Sequence, residues 1–260
     1  MQSTHDLAIQ KLGTKQQDIS TVEDITYKTA SGRLVSAYVV MPEGEVTSGS
    51  IFMHWLDSAS HGDRNEFLDE AVQLAKSGVA SILLQGSFPW NVAPKDTDHD
   101  LIAIQEEVAG IQDSIAVLES FGLSCDAKIA YVGHDYGALL GINFVATTKR
   151  IMAAAFMAPT MRFSDWNVAY WLTSLTAEER IAYDQTLVQV DPLVCIEKIK
   201  ETKILLQFGS QDVYVADSTA AQLTQLAGES AETKKYDAGH GLNDEAKSDR
   251  VEWILARLVA

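Results

Sequence analysis

Residues 128–141, KIAYVGHDYGALLG, pass from an apolar run through two glycines four residues apart into a segment of small and apolar residues suited to a helix. A chain that leaves a strand and enters a helix this abruptly crowds its own backbone at the turn. Gly133 and Gly137, lacking side chains, relieve that crowding, and Ala138 and Gly141 let the new helix lie close to the strands. The turn lifts its central side chain, Asp135, out at the end of a strand whose neighbours run parallel to it. Few architectures other than an α/β fold accommodate such a turn.

The rest of the chain alternates accordingly. EDITYKTA and RLVSAYVVM, divided by Ser31-Gly32, read as an antiparallel hairpin at the sheet edge. SIFMHW (50–55) is a strand. In NEFLDEAVQLAKSG, Phe67, Leu68, Ala71, Leu74 and Ala75 recur at helical spacing until Gly78. VASILLQ (79–85), a long helix over 100–122, the strand 128–133, a helix from Tyr136 and IMAAAFMA (151–158) follow. After Pro159 the alternation stops, and an aromatic-rich segment, 159–192, reads as a cap inserted over one end of the sheet. KILLQF, STAAQLTQLAG, ETKKYD and a helix over 243–258 resume it. One domain spanning 1–260 is expected, with a mostly parallel central sheet and helices on both faces.

Composition narrows the function. With 20 Lys and Arg against 36 Asp and Glu, the net charge is -16, which disfavours nucleic acid and anionic membranes. Cys125 and Cys195 stand in no metal or disulfide spacing. Lys11 interrupts the N-terminal segment before any apolar run of signal-peptide length. The expectation is a cytoplasmic protein acting on a small molecule, without cofactor or metal, with homodimerisation left open.

Strand before, helix after and a central Asp135 resemble the nucleophile elbow of the α/β-hydrolase superfamily. That resemblance demands an acid after a later strand and a histidine near the C-terminus. KILLQF runs into GSQD, placing Asp212 on the following loop, and ETKKYD runs into AGHG, placing His240 on the next. GSQDVYV, KKYDAGHGLND, and Arg250 and Trp253 of DRVEWIL look most like the dienelactone-hydrolase branch. GHDYG looks like haloalkane dehalogenases and epoxide hydrolases, whose nucleophile is aspartate. The resemblance therefore implies an α/β-hydrolase fold with Asp135, His240 and Asp212 as catalytic set. It also implies oxyanion or leaving-group donors, the N–H of Tyr136 together with that of Leu56 or Trp55, although Trp55 stands where the superfamily often has glycine.

Each residue also has a plainer reading. Asp135 would serve as a helix cap, and Asp217 competes with Asp212. His134 should point away from Asp135 as a structural histidine, His54 merely ends a strand, and Arg64 is expected in a structural ion pair. DTDHD (96–100) matches no metal loop and suits the start of a helix. Trp90, Trp166, Tyr170, Trp171 and Tyr183 are core aromatics or pocket wall, the insertion favouring wall. No arginine pair near the elbow invites a carboxylate substrate.

Carboxylate attack on an ester gives a reactive anhydride, whereas attack on a haloalkane or epoxide carbon gives an ordinary alkyl ester that His240-activated water can hydrolyse. An opening epoxide also needs a proton donor, for which Tyr170 or Tyr183 is a candidate. The alternatives are ester or lactone hydrolysis with Asp135 as general base, and a non-catalytic ligand-binding protein on the same scaffold.

Overall fold

The computed structural model describes residues 6–56 and 63–259; residues 1–5, which belong to the N-terminal segment read above, lie outside them. The chain runs β1 (Gln10–Gln17), β2 (Ser20–Lys28), β3 (Leu34–Pro42), β4 (Ser48–Met53), α1 (Leu68–Ala75), β5 (Val79–Leu84) and α2 (Thr97–Ser120). It continues through β6 (Ile129–His134), α3 (Tyr136–Thr147), β7 (Ile151–Met157), α4 (Ser164–Tyr170), α5 (Ala177–Leu187) and α6 (Pro192–Cys195). β8 (Lys203–Gly209), α7 (Asp217–Ala227), β9 (Ala231–Tyr236) and α8 (Asp244–Leu258) complete it.

The nine strands of the described residues form one sheet in the order β1-β2-β3-β5-β4-β6-β7-β8-β9. β4 through β9 pair in parallel, and β1, β2 and β3 are antiparallel. Strict alternation divides the core between two faces. Ile51 and Met53 of β4 join Tyr131 of β6, Ile111 and Leu118 of α2 and Leu139 of α3. Phe52 and Val132, one residue out of phase, join Leu74 of α1 and Ile254 of α8 on the opposite face. The six residues of β4, β5 and β6 are all buried, as a parallel strand covered on both sides requires.

The hairpin of β2 and β3 forms as expected, but it is not the sheet edge. β1 pairs along β2 outside it. Its sequence, QKLGTKQQ, is almost wholly exposed, so it joins the sheet through backbone hydrogen bonds and carries no apolar alternation. The segment after β7 is helical, and its two ends are tied together: Leu193 N–H donates to the Met161 carbonyl (3.0 Å) and Phe163 N–H to Asp191 Oδ1 (2.9 Å). Among the described residues no helix is long and apolar enough to cross a membrane.

Candidate active site

The turn between β6 and α3 forms as the glycines require. A Cβ at residue 133 would overlap the carbonyl of Gly137, and one at residue 137 would overlap the carbonyl of Met53. Asp135 takes φ 53° and ψ -115°, a conformation costly for a residue with a side chain, on the order of 1–3 kcal/mol, and found where a site requires it. Its N–H is held by the Met157 carbonyl (2.8 Å) of the neighbouring strand. The side chain makes no capping bond to the helix it precedes, so the plain capping role does not account for it.

Two further loops at the same end of the sheet bring their side chains to Asp135. The loop after β8 carries Asp212, whose Oδ1 accepts from the N–H groups of Tyr214 (2.8 Å) and Val215 (3.1 Å). The loop after β9 carries His240, and its Nδ1–H donates to Asp212 Oδ2 (2.8 Å). Backbone bonds from Ser210 to Tyr236 and from Gln211 to Ala238 lock these two loops together. His240 Nε2 faces Asp135 Oδ1 at 3.8 Å, within ion-pair range but too far for a hydrogen bond. Both atoms are buried and, among the described residues, have no other partner. Asp217, at the start of α7, is exposed and paired with Lys235 (2.7 Å), and takes no part.

Burial by itself would lower the pKa of His240, but the flanking carboxylates of Asp135 and Asp212 outweigh it and hold the ring up at about 9. Burial raises Asp212, and the hydrogen bond and charge of His240, with the two backbone N–H groups, more than reverse this and leave it below its usual value. At neutral pH His240 is therefore an imidazolium, held between Asp135 and Asp212. Because folding raises the pKa of His240, its charge stabilises the native state fully below about pH 6.5, and that contribution is lost as pH rises through about 9. Thermal melts of the wild type should fall by more than those of His240→Gln between neutral pH and about pH 9.5, by on the order of 1–3 kcal/mol. Equal losses in the two proteins would contradict the assignment.

The loop after β4 completes the arrangement. Leu56 N–H donates to Asp135 Oδ2 (3.0 Å). The N–H of Trp55, the other candidate donor on this loop, is directed elsewhere: it binds Glu66 Oε2 (2.8 Å). The Trp55 carbonyl accepts from His54 Nδ1 (3.0 Å) and Trp90 Nε1 (2.9 Å). His54 Nε2 accepts from Gly86 N–H (3.0 Å), and burial lowers its pKa, so His54 is a neutral ring that fixes this peptide. Held at both ends, the Trp55 peptide aims the next N–H, that of Leu56, at Asp135. Tyr136 contributes through position: its N–H lies in the first turn of α3, where it has no partner within the helix. Its buried hydroxyl donates away from the site, to Asn167 Oδ1 (3.2 Å).

Glu66 had no signature in the sequence, because its partners lie 11 and 68 residues away. Besides holding Trp55, its Oε1 meets His134 Nδ1 (2.6 Å), and His134 Nε2–H donates to the His240 carbonyl (3.0 Å). His134 thus points away from Asp135, as its place in the turn requires, and joins the Leu56 loop to the His240 loop. Arg64 forms the expected ion pair, with Asp24 (2.8 Å).

A cavity of about 550 Å³ opens above His240, lined by Trp55, Leu56, Trp90, Trp166, Tyr170, Trp171 and Tyr214 among others. Four of the five expected wall residues are there. Tyr183 is not: it is buried, its hydroxyl donating to Asp100 Oδ2 (2.6 Å) and accepting from Asn167 Nδ2 (2.8 Å). This removes Tyr183 as a proton donor to substrate and leaves Tyr170. Tyr214, two residues past Asp212, is a wall residue that the sequence did not single out. In DTDHD, Asp96 caps α2 by accepting from His99 N–H (2.9 Å), and Asp100 is the buried anchor for Tyr183. Among the described residues no group of three or more His, Cys, Asp or Glu side chains is arranged to hold a metal ion.

No protein-family model matches the chain, and no curated protein sequence matches it. Solved structures do. An acetyl xylan esterase from Paenibacillus sp. R4 superimposes with a TM-score of 0.77 at 17% identity, over 98% of this chain and 90% of its own. Acetyl xylan esterase 1 from Thermoanaerobacterium sp. JW/SL YS485 gives 0.69 at 14% identity, over 96% and 89%. An esterase of Pyrococcus furiosus gives 0.66 at 17% identity, over 96% and 97%. At these identities the likeness is one of fold: a mainly parallel sheet flanked by helices, with an antiparallel N-terminal part, the α/β-hydrolase arrangement.

Proposed function

We propose that the protein is a hydrolase in which Asp135 attacks a saturated carbon of a small organic electrophile, a haloalkane or an epoxide. The observation that carries this reading is the seating of the Asp135 carboxylate. Oδ2 occupies the Leu56 N–H, while Oδ1 has no hydrogen-bond partner among the described residues and faces His240. If Oδ1 forms the bond to carbon and the halide or epoxide oxygen departs with its electron pair, Oδ2 becomes the carbonyl oxygen of the alkyl ester. That oxygen already sits on the donor that stabilises the oxyanion formed when water attacks Cγ. For an epoxide, Tyr170 is the candidate donor to the alkoxide.

The charge on His240 fits the same sequence of events. With both carboxylates ionised the ring is an imidazolium and cannot take a proton from water. Esterification of Asp135 removes one of the two charges that raise its pKa, so His240 releases its proton to solvent more readily and is a neutral ring, able to accept a proton from water, when the ester is ready for hydrolysis.

Ester or lactone cleavage, with Asp135 as general base toward water, is the second reading. The similar folds favour it over the first, since the proteins sharing them include esterases. In this reading His240 donates a proton to the leaving alkoxide.

A single turnover in ¹⁸O-water with enzyme in excess, over haloalkanes, epoxides, esters and lactones, separates the two. Nucleophilic Asp135 delivers unlabelled oxygen to the product and leaves label in the protein, and His240→Gln accumulates an adduct on the peptide containing Asp135. Direct labelling of the product without an adduct establishes the base mechanism. Ligand binding with no turnover of any class would leave a binding protein.

Glu66 is expected to act by positioning. Glu66→Ala frees the Trp55 peptide and the ring of His134, and kcat should fall by roughly 10–100-fold with a smaller change in KM. Glu66→Gln, which can still accept from Trp55 N–H and donate to His134, should restore most of it. Equal damage by both variants would mean that the charge of Glu66, rather than its bridging geometry, is what matters.

A further inference from the structure

The cavity wall is built mainly of rings. Trp166 stacks on Tyr170 with centroids 5.7 Å apart and an interplanar angle of 18°, Trp166 lies 5.6 Å from Tyr214, and Tyr170 meets Trp171 edge-on at 6.1 Å. Trp55 and Trp90 continue this wall toward the floor. Among the described residues, aliphatic surface is scarce, confined to Leu56, Pro89 and Ala93, and no Lys or Arg lines the space. A pocket for an alkyl chain would be walled by branched aliphatic side chains, and one for an anion would carry an unpaired cation, whereas the His240 ring in this lining is flanked by the carboxyl groups of Asp135 and Asp212.

The floor points the same way. Asp135 and Asp212 place two carboxylates around the single ring of His240, so this group carries one net negative charge when all three are ionised. The whole chain carries -16, which draws cations toward an open cleft and repels anions. A neutral aromatic ligand would gain from the rings but not from this charge. A ligand bearing an alkylated ammonium group gains from both, because the faces of Trp and Tyr attract cations.

We propose that the pocket takes a substrate carrying a permanent organic cation, a quaternary or trialkylated ammonium group, which the ring of Trp166, Tyr170, Trp171 and Tyr214 holds above the Asp135–His240–Asp212 group. This deepens the hydrolase reading by naming the non-reacting part of the substrate, and it rests on that reading only in treating the bound cation as substrate.

The test uses two probes of the same shape that have no leaving group: choline and its uncharged isostere 3,3-dimethylbutan-1-ol, titrated into the intact protein by calorimetry or tryptophan fluorescence. Choline should bind about tenfold or more tightly than the alcohol. In Tyr170→Leu and Trp171→Leu, each of which keeps an apolar wall but removes a ring, choline should weaken while the alcohol changes little. Equal or tighter binding of the alcohol, failure of choline to bind, or parallel weakening of both probes in the variants would overturn the proposal. Neither probe is turned over, so this outcome is independent of whether Asp135 acts as nucleophile or base.

Discussion

Asp135→Asn should abolish multiple turnover, lowering kcat by at least about 10⁴-fold on whichever substrate the panel identifies, without unfolding the protein. The amide oxygen can still accept from Leu56 N–H, so the local hydrogen bond survives while the nucleophilic oxygen is lost. Asparagine tolerates positive φ better than most residues, so at φ 53° the variant should melt no more than about 1 kcal/mol below the wild type. The substitution also removes one of the two charges that hold up His240, whose pKa should fall from its native value of about 9. Proton NMR of the ring reads that shift directly. A variant retaining more than about 1% of the wild-type rate would remove Asp135 from the chemistry under either mechanism.

How much of this was legible in the sequence depended on how local each signal was. The elbow glycines act on atoms a few residues away, and Asp212 and His240 each follow a strand directly, so their order along the chain sufficed to anticipate their meeting. Glu66 and His134 join three loops across the sheet end, and no spacing encodes such a contact. Choosing between the Trp55 and Leu56 N–H groups required knowing that Glu66 takes the first. Tyr183 was misplaced for a related reason: an aromatic residue in an insertion reads as wall until a buried carboxylate, Asp100, is found beneath it. β1 escaped because a strand exposed on an edge has no hydrophobic periodicity to betray it. Arg250, by contrast, stood out within DRVEWIL as part of a resemblance, with no stated task.

The structure gives Arg250 a task, and with it the largest stability effect to be expected away from the site. Arg250 is 2% exposed, and its guanidinium binds both oxygens of Glu70, Nε to Oε2 at 3.0 Å and Nη2 to Oε1 at 2.5 Å. Nη1 donates to Gln207 Oε1 (2.6 Å), and Gln207 Nε2 donates to the Ala246 carbonyl (2.8 Å). One cation thereby joins α1, β8 and α8, the elements that lead from Glu66, into the Asp212 loop and out of the His240 loop. Arg250→Met leaves Glu70 buried and unpaired, at a cost of about 3–5 kcal/mol, which for a chain of this length lowers Tm by roughly 10 °C. Replacing both partners, Arg250→Met with Glu70→Leu, should recover most of that loss, since an apolar pair leaves no buried charge. If the double variant melts as low as Arg250→Met alone, the cost lies in the bonds to Gln207 and the alignment of β8 with α8. The Asp212–His240 geometry should then loosen as well, and the pKa of His240 would report it.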